Sequence, residues 1–480
     1  MQEITRSGEQ IVAATAITAP AQPQPTVVSP SQATVRVRKP KSWLEERLGL
    51  DGLMEKYGRK AFPVHTTFFL GEMSLFSFVI LVVTGIYLGL LYIPSNAEIA
   101  IGDQKLPQAY ASVQFIESLP VANIFRNVHH WSAHLMLASI ILHSLRILFF
   151  GTYRKPRELN WVIGVVLFAL TLAAAFLGYS LPYDSFSLTA TGVGYGIAKS
   201  VPYIGNIAAD LTFGGTYPTL GSIPRLYTLH IFVIPLLLAG GIAAHMAILV
   251  KQKHTQPGYA KRLAEPGKVL GVPLAPYQAI LGIQLLLLMF GTLFLLSAFI
   301  PVHPLSAYGP PGAGSSSDVK PDWYLLWVYG FLKMLPSFDF HILGGQFNQE
   351  FVGGLVFPGA IFGLYTFAPW LDRTNRRVLN RYYEYLEPPR QGPLRMAVGL
   401  AVLAFIGVTF LAAYKEQLNL SLLELWLLAI AVPGIVGAAV YFGAKSGARN
   451  RTYFDPTGED AHEVVPGAVV PAEPMYVLND

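Results

Sequence analysis

Apolar residues in this chain come in blocks of about twenty rather than in short alternating runs. Eight blocks lie near 68–93, 129–150, 161–182, 226–250, 276–300, 351–370, 395–413 and 422–443. A helix needs roughly 20 residues to cross the hydrocarbon core of a bilayer. Inside lipid a helix also satisfies its own backbone polar groups. The pattern therefore predicts an all-α, polytopic bundle of eight transmembrane helices, although the last two blocks could instead form one re-entrant pair. Residues 1–40 have no hydrophobic period and are rich in Ala, Pro, Gln and Thr, which predicts a disordered N-terminal tail. No apolar stretch with a cleavage site opens the chain, so no signal peptide is expected. Residues 41–60 mix Trp43, Leu44, Leu48, Leu50, Leu53 and Met54 with many charges, as an amphipathic surface helix or a solvated linker would. The polar stretch 444–480 reads as a C-terminal tail.

The polar connections give an orientation. Arg154, Lys155 and Arg157 occupy the loop 151–160; Lys251, Lys253, Lys261, Arg262 and Lys268 the loop 251–275; Arg373, Arg376, Arg377, Arg381, Arg390 and Arg395 the loop 371–395. The alternate loops 94–126, 183–225 and 301–350 are long and poor in Lys and Arg. Basic loops stay on the cytoplasmic side, so both termini are expected to be cytoplasmic. The long outer loops hold short apolar pieces, 196–208 and 323–335, expected to lie as surface helices.

Composition agrees. Hydrophobic residues make up 52% and charged residues 13%, with mean hydropathy +0.44, against about 25% charged in soluble domains. The net charge of +5 follows from the basic loops and implies no nucleic-acid partner. There is no cysteine, which excludes disulfides, thiolate metal ligands, iron–sulfur clusters and Cys-attached heme within this chain. Any metal must use His, Met or oxygen ligands.

Four of the eleven histidines fall within spans in a paired pattern. His129 and His143 are 14 apart on the second span, and His230 and His245 are 15 apart on the fourth. At 1.5 Å and about 100° per residue, each pair covers roughly 21–22 Å and returns to within about 40° or 60° of one face. Both spans run from outside to inside, so His129 is level with His230 and His143 with His245. Two bis-histidine sites stacked across the bilayer follow, suited to heme iron; the bland alternative is polar residues bonded across helices. His130 and His134 lie on other faces and are expected to be non-ligands. Gly71 and Gly85 on the first span, and Gly164 and Gly178 on the third, repeat the 14-residue period and would let bulky groups approach. Arg126 and Arg146, each about a turn from a histidine, suit heme propionates, or else act as snorkelling residues.

Several motifs resemble a known family. Arg126-Asn127-Val128-His129 through His143-Ser144-Leu145-Arg146 and Gly151-Thr152-Tyr153 resemble the second helix of cytochrome b. Asn160-Trp161-Val162-Ile163-Gly164 and Ala175-Phe176-Leu177-Gly178-Tyr179 resemble its third. Pro202-Tyr203-Ile204-Gly205 and Pro224-Arg225-Leu226-Tyr227 with His230 extend the match, and Pro321-Asp322-Trp323-Tyr324 resembles the family's Pro-Glu-Trp-Tyr motif. The resemblance covers about residues 55–410 and implies a cytochrome b subunit of the bacterial cytochrome bc (quinol:cytochrome c reductase) type, in the cytoplasmic membrane. It implies a four-helix diheme domain over 41–260 and a C-terminal four-helix domain over 261–443. It further implies two non-covalent b-type hemes, the outer held by His129 and His230, the inner by His143 and His245. Quinol would be oxidised at an outer pocket near Pro321–Tyr324. One electron would pass to a Rieske iron–sulfur subunit and on to a c-type cytochrome, the other across both hemes in a proton-translocating Q-cycle. The complex would be a homodimer.

Some positions depart from the family pattern. Asp322 stands where better-known members have Glu, which leans toward menaquinol. The 15-residue spacing and Pro182-Tyr183-Asp184 resemble the photosynthetic relative. Phe69 stands about where that relative has its heme-attaching Cys, so no covalent heme is expected. As a proton acceptor, Asp322 is expected to have its pKa raised by burial; alternatively it caps a short helix. Tyr324 would bond near the site or pack at the interface. The inner quinone site is poorly marked, with His65, Lys251 and Gln278 placed there by location alone. Two rivals remain: a diheme membrane anchor of another quinone-linked oxidoreductase, and a heme-free transporter with buried histidines as proton relays.

Overall fold

The computed structural model describes residues 43, 47, 49, 52, 58–63, 65–256, 260, 268–312, 319–372, 386, 388–449 and 477–479. The expected tail at 1–40, most of the expected tail at 444–480, most of the amphipathic stretch 41–60, and the basic residues Lys261, Arg262, Arg373, Arg376, Arg377 and Arg381 lie outside them; residues 444–449 continue the last helix rather than starting a tail. The chain divides into two compact units, Met1–Leu53 and Met54–Asp480. In the first, the Arg47 guanidinium lies over the Trp43 ring at 5.8 Å. The second carries everything below.

Long helices dominate it, as blocks of apolar residues in lipid require. They are α1 (Phe69–Gly89), α2 (Gln108–Ser118), α3 (Pro120–Phe149), α4 (Glu158–Tyr179), α5 (Ser185–Lys199), α6 (Gly205–Phe213), α7 (Ser222–Gln252), α8 (Leu274–Phe299), α9 (Leu326–Met334), α10 (349–366), α11 (Pro393–Ala412) and α12 (Leu422–Arg449). Two short antiparallel hairpins, Glu98–Ile101 with Gln104–Pro107 and Asp339–Ile342 with Gly345–Asn348, decorate the long loops. The short apolar pieces expected as surface helices fall on α5–α6 and α9.

Among the described residues, seven helices are long and apolar enough to cross a membrane: α1, α3, α4, α7, α8, α11 and α12. The eighth expected span, 351–370, is helical but broken. A π-helical turn at Val352–Val356 interrupts it, Pro358 follows, and Ala368–Leu371 forms a separate turn. A proline inside a helix clashes with the carbonyl four residues back, here Gly354, and the wider π turn relieves that clash. The last two blocks are two separate helices packed on each other, each long and apolar enough to cross a membrane. Their contact is sealed by Val408, Ala412, Leu425 and Ala429, together with Met334 of α9.

Two pairings position the site: α1 packs on α3, and α4 packs on α7. Between α1, α3 and α8, Ile80, Val128 and Leu293 form one buried cluster. Many outward residues, such as Ile86, Leu236, Leu288 and Ile430, are exposed large hydrophobics, the surface a lipid-facing bundle needs. The chain is a multi-pass membrane protein.

Candidate functional site

The second and fourth spans meet through their histidines. The ring centroids of His129 and His230 are 6.3 Å apart with planes at 70°. With a metal–imidazole nitrogen distance of about 2 Å, two rings on either side of one ion have centres roughly 6 Å apart. His143 and His245, one level further along, lie within electrostatic reach of each other.

Each of the four glycines faces one of these imidazoles. A Cβ added at Gly85 would stand 3.1 Å from His129 Cε1, at Gly71 3.1 Å from His143 Cε1, at Gly178 2.7 Å from His230 Cε1, and at Gly164 3.5 Å from His245 Cε1. The 14-residue glycine period is thus the imprint of the histidine period on the neighbouring helix. The room it makes is, first of all, room for the imidazole rings.

Hydrogen bonds set the tautomers of the outer pair. The Thr84 hydroxyl donates to Ile80 O at 2.7 Å and so can accept from His129 Nδ1, 2.9 Å away. His230 Nδ1 donates to Ala174 O at 2.9 Å. In both rings the proton is held on Nδ1, which leaves Nε2 bare for a metal. Neither partner was legible in the sequence. Thr84 precedes Gly85 on α1, and a backbone carbonyl leaves no sequence signal.

The two arginines behave differently. Arg146 lies with its guanidinium 4.4 Å over Phe68, and its buried Nε and Nη2 have no hydrogen-bond partner, as is true of His143 Nδ1. Buried donors of this kind call for an acceptor, and an anionic group such as a heme propionate supplies one. Arg126 instead pairs with Glu117 at 3.1 Å and donates to Val302 O and His303 O at 3.2 and 2.7 Å. With Asn127 and Trp131, which bond Val302 N and Ile300 O, it pins the loop after α8 to α3.

That loop closes over Asp322. Asp322 and Tyr324 are both buried, and Tyr324 OH donates to Asp322 Oδ2 at 2.9 Å. His303 Nε2 is 3.0 Å from Asp322 Oδ1, and His130 Nε2 is 3.9 Å from Oδ2. Burial acts to raise the carboxyl pKa, as expected. Hydrogen bonds and charge from His130 and His303 outweigh it and hold the carboxyl below the usual range. The raised pKa expected from desolvation alone is therefore reversed by the two imidazoles that face the carboxylate. Burial, then the Asp322 charge, push the Tyr324 phenol well above its ordinary value. His134 accepts a hydrogen bond from Trp323 Nε1 at 3.0 Å. The sequence offered one signal for this cluster, the four-residue spacing of His130 and His134 on one helix face.

At the other end of the spans, His65 caps a helical turn by accepting from Thr67 N at 3.2 Å. Gln278 donates to Glu72 Oε1 at 2.7 Å. Lys251 is exposed near the end of α7. His254, not singled out by its position in the sequence, packs 4.2 Å from Phe62 and 6.1 Å from Phe68.

Comparison with known proteins gives two family matches: Cytochrome b(N-terminal)/b6/petB over residues 134–310 and Cytochrome b(C-terminal)/b6/petD over 313–430. The chain is 34% identical over 377 residues to a "Cytochrome bc1 complex cytochrome b subunit" of Streptomyces coelicolor, covering 75% of this chain and 67% of that protein. It is 34% identical over 382 residues to one of Mycobacterium tuberculosis, with the same coverage. A solved "Hyperthermophilic respiratory Complex III" chain shares the fold at a TM-score of 0.61, covering 83% of this chain and 99% of that one at 20% identity. With two matched halves spanning most of its helices and relatives a third identical along three quarters of its length, the chain belongs to the cytochrome b family, whose members carry heme.

Proposed function

We propose that the chain is the cytochrome b subunit of a bc1-type quinol-oxidising complex, with two non-covalent b-type hemes, one between His129 and His230 and one between His143 and His245. The observation that carries this is the one-to-one meeting of Gly85, Gly178, Gly71 and Gly164 with those four imidazoles. Bound heme supplies reversible one-electron chemistry at two levels of the membrane. Thr84 and the Ala174 carbonyl hold the outer imidazoles with Nε2 bare. Arg146 offers its unpaired donors to an inner propionate. Arg126 brings positive charge one turn before His129 while it anchors the loop over Asp322.

In this reading Asp322 accepts a proton from the quinol hydroxyl, and Tyr324 aims the carboxylate through its hydrogen bond to Oδ2. The aromatic packing of Phe186, Tyr308 and Tyr324 around this corner keeps bulk water from it. The quinol is menaquinol, the form that the shorter Asp322 favours. Quinone is reduced at the inner end, near His65, Gln278 and His254, which closes a Q-cycle with protons released outside and taken up inside. The partners are a Rieske iron–sulfur subunit, a c-type cytochrome and a second copy of the complex. Residues 41–260 form the diheme half and 261–443 the half bearing Asp322. The membrane is the bacterial cytoplasmic membrane, with both termini cytoplasmic.

A reduced-minus-oxidised spectrum of the purified complex tests this. Two b-type redox steps are expected, with one lost in His129→Ala and the other in His143→Ala. A heme-free chain would return the transporter alternative. Hemes without quinol oxidation would return the membrane-anchor alternative.

A further inference from the structure

Glu72 is a carboxyl inside a membrane span, in the first turn of α1. Its neighbour Gly71 faces His143, so Glu72 stands at the level of the inner imidazole pair. Phe68, one turn nearer the inner end on the same face, lies under the Arg146 guanidinium and 5.5 and 6.1 Å from the rings of His65 and His254. Gln278 of α8 donates to Glu72 Oε1 at 2.7 Å, while Oε2 is buried with no hydrogen-bond partner. We propose that Glu72 is the proton donor to the quinone reduced at the inner end of the protein, a role that rests on the inner quinone site proposed above.

A carboxyl within lipid is expensive and marks a path for ions or protons. A pin between α1 and α8 needs only the oxygen that Gln278 holds. The second oxygen is left over, and in ionised form it would be a buried charge without a partner. As the neutral acid it carries a proton that an incoming acceptor can take. Across from it stands Gly282 of α8, where an added Cβ would meet only Phe76 Cζ at 3.5 Å and Glu72 Oε2 at 3.7 Å. The missing side chain leaves a recess before the free oxygen. Phe76, partly exposed, is the ring that turns to admit a flat, apolar quinone. Reduction of the quinone takes two electrons, supplied by the electron transport proposed above, and two protons. The Glu72 O–H bond breaks as a new O–H bond forms on one quinone oxygen. The other oxygen takes its proton from the inner aqueous phase, which also restores the Glu72 acid.

The test uses the purified heme-loaded complex carrying Asp322→Asn, which closes the outer route. It is reduced beforehand and mixed, without oxygen, with a soluble menaquinone analogue, and reoxidation of the inner heme reads the inner site. Glu72→Gln keeps the shape and the bond to Gln278 but has no acidic proton, and reoxidation is expected to slow about 100-fold. Both heme potentials and the quinone bound per chain stay as they were, so the loss lies in proton delivery. Glu72→Asp, an acid with shorter reach, falls between. An unchanged rate in Glu72→Gln overturns the role of Glu72 and leaves the inner site standing. No reoxidation with Glu72 intact overturns the inner site, and this role with it. Should Glu72→Gln lose its hemes, Gly282→Ala decides. Its methyl fits at ordinary contact distance but fills the recess before Oε2. A fall of about 10-fold supports the proposal, and an unchanged rate overturns it.

Discussion

A methyl group on Gly178 would stand 2.7 Å from Cε1 of His230, whereas on Gly164 it would stand 3.5 Å from Cε1 of His245. The first distance is a clash with a ring already tied to Ala174 O, and the second is ordinary contact. Gly178→Ala is therefore expected to displace His230 and cost the outer heme, with overpacking of about 1–3 kcal/mol. Gly164→Ala should keep both hemes. Heme content per chain and the number of redox steps distinguish the two variants, and equal loss in both would refute the argument.

Thr84→Val keeps the shape beside His129 but removes the oxygen that accepts from its Nδ1. A buried donor left unmade costs about 1–3 kcal/mol. The imidazole also becomes a weaker donor to metal, because such a bond raises ligand basicity. The midpoint potential of the outer heme should rise while the inner one stays. A redox titration reads both together.

Asp322→Asn retains the shape but cannot take a proton. Quinol oxidation should fall about 100-fold with the heme spectrum intact. Tyr324→Phe, which loses only the hydrogen bond to Asp322 Oδ2, should fall less. Wild-type turnover in Asp322→Asn would show that the carboxylate does not carry the proton.

Arg395 Nη1 pairs with Asp372 Oδ2 at 2.9 Å, and Tyr153 OH donates to the same oxygen at 2.8 Å. Arg395 also donates to Phe149 O at 3.2 Å, so α11 is pinned to the end of α3. Removing one partner leaves a buried charge uncompensated, at about 3–5 kcal/mol. Arg395→Met should lower the melting temperature sharply, and Arg395→Met with Asp372→Leu should recover part of it. A double variant no more stable than the single one would show that packing, not charge, is at issue.

Burial first, then the charges of Arg146 and Arg157, lower the His254 pKa from 6.5 to about 4. Folded His254 is therefore neutral where unfolded His254 takes up a proton. Its contribution is complete above pH 6.5 and is lost as pH falls toward 4, at about 1.4 kcal/mol per unit. Thermal stability should drop over that window, and His254→Gln should flatten the drop. An unchanged slope in the variant would assign the acid lability elsewhere.

The spans and the histidine pairs were legible because they obey strict periods: a block length set by bilayer thickness, and a spacing set by helix geometry. The 14-residue glycine repeat was legible for the same reason. The broken helix at 349–366 was not, since composition reports apolarity and not where Pro358 forces a wider turn. The grouping of His130, His134 and His303 around Asp322 was also hidden. It joins α3 to a loop some 170–190 residues later, held by Arg126, Asn127 and Trp131.

What the amino-acid order settled by itself was an eight-block membrane chain with four imidazoles in two levels, because hydrophobic length and helical period are local properties. What the tertiary structure decided is how those imidazoles come into register. Fifteen residues of straight α-helix would leave His245 about 60° off the line of His230. The π turn at Leu229–Val233, followed by Pro235, takes up one extra residue. The fourth span then presents its pair much as a 14-residue spacing would, opposite His129 and His143. Only the folded helix, with its widened turn, brings His230 to face His129.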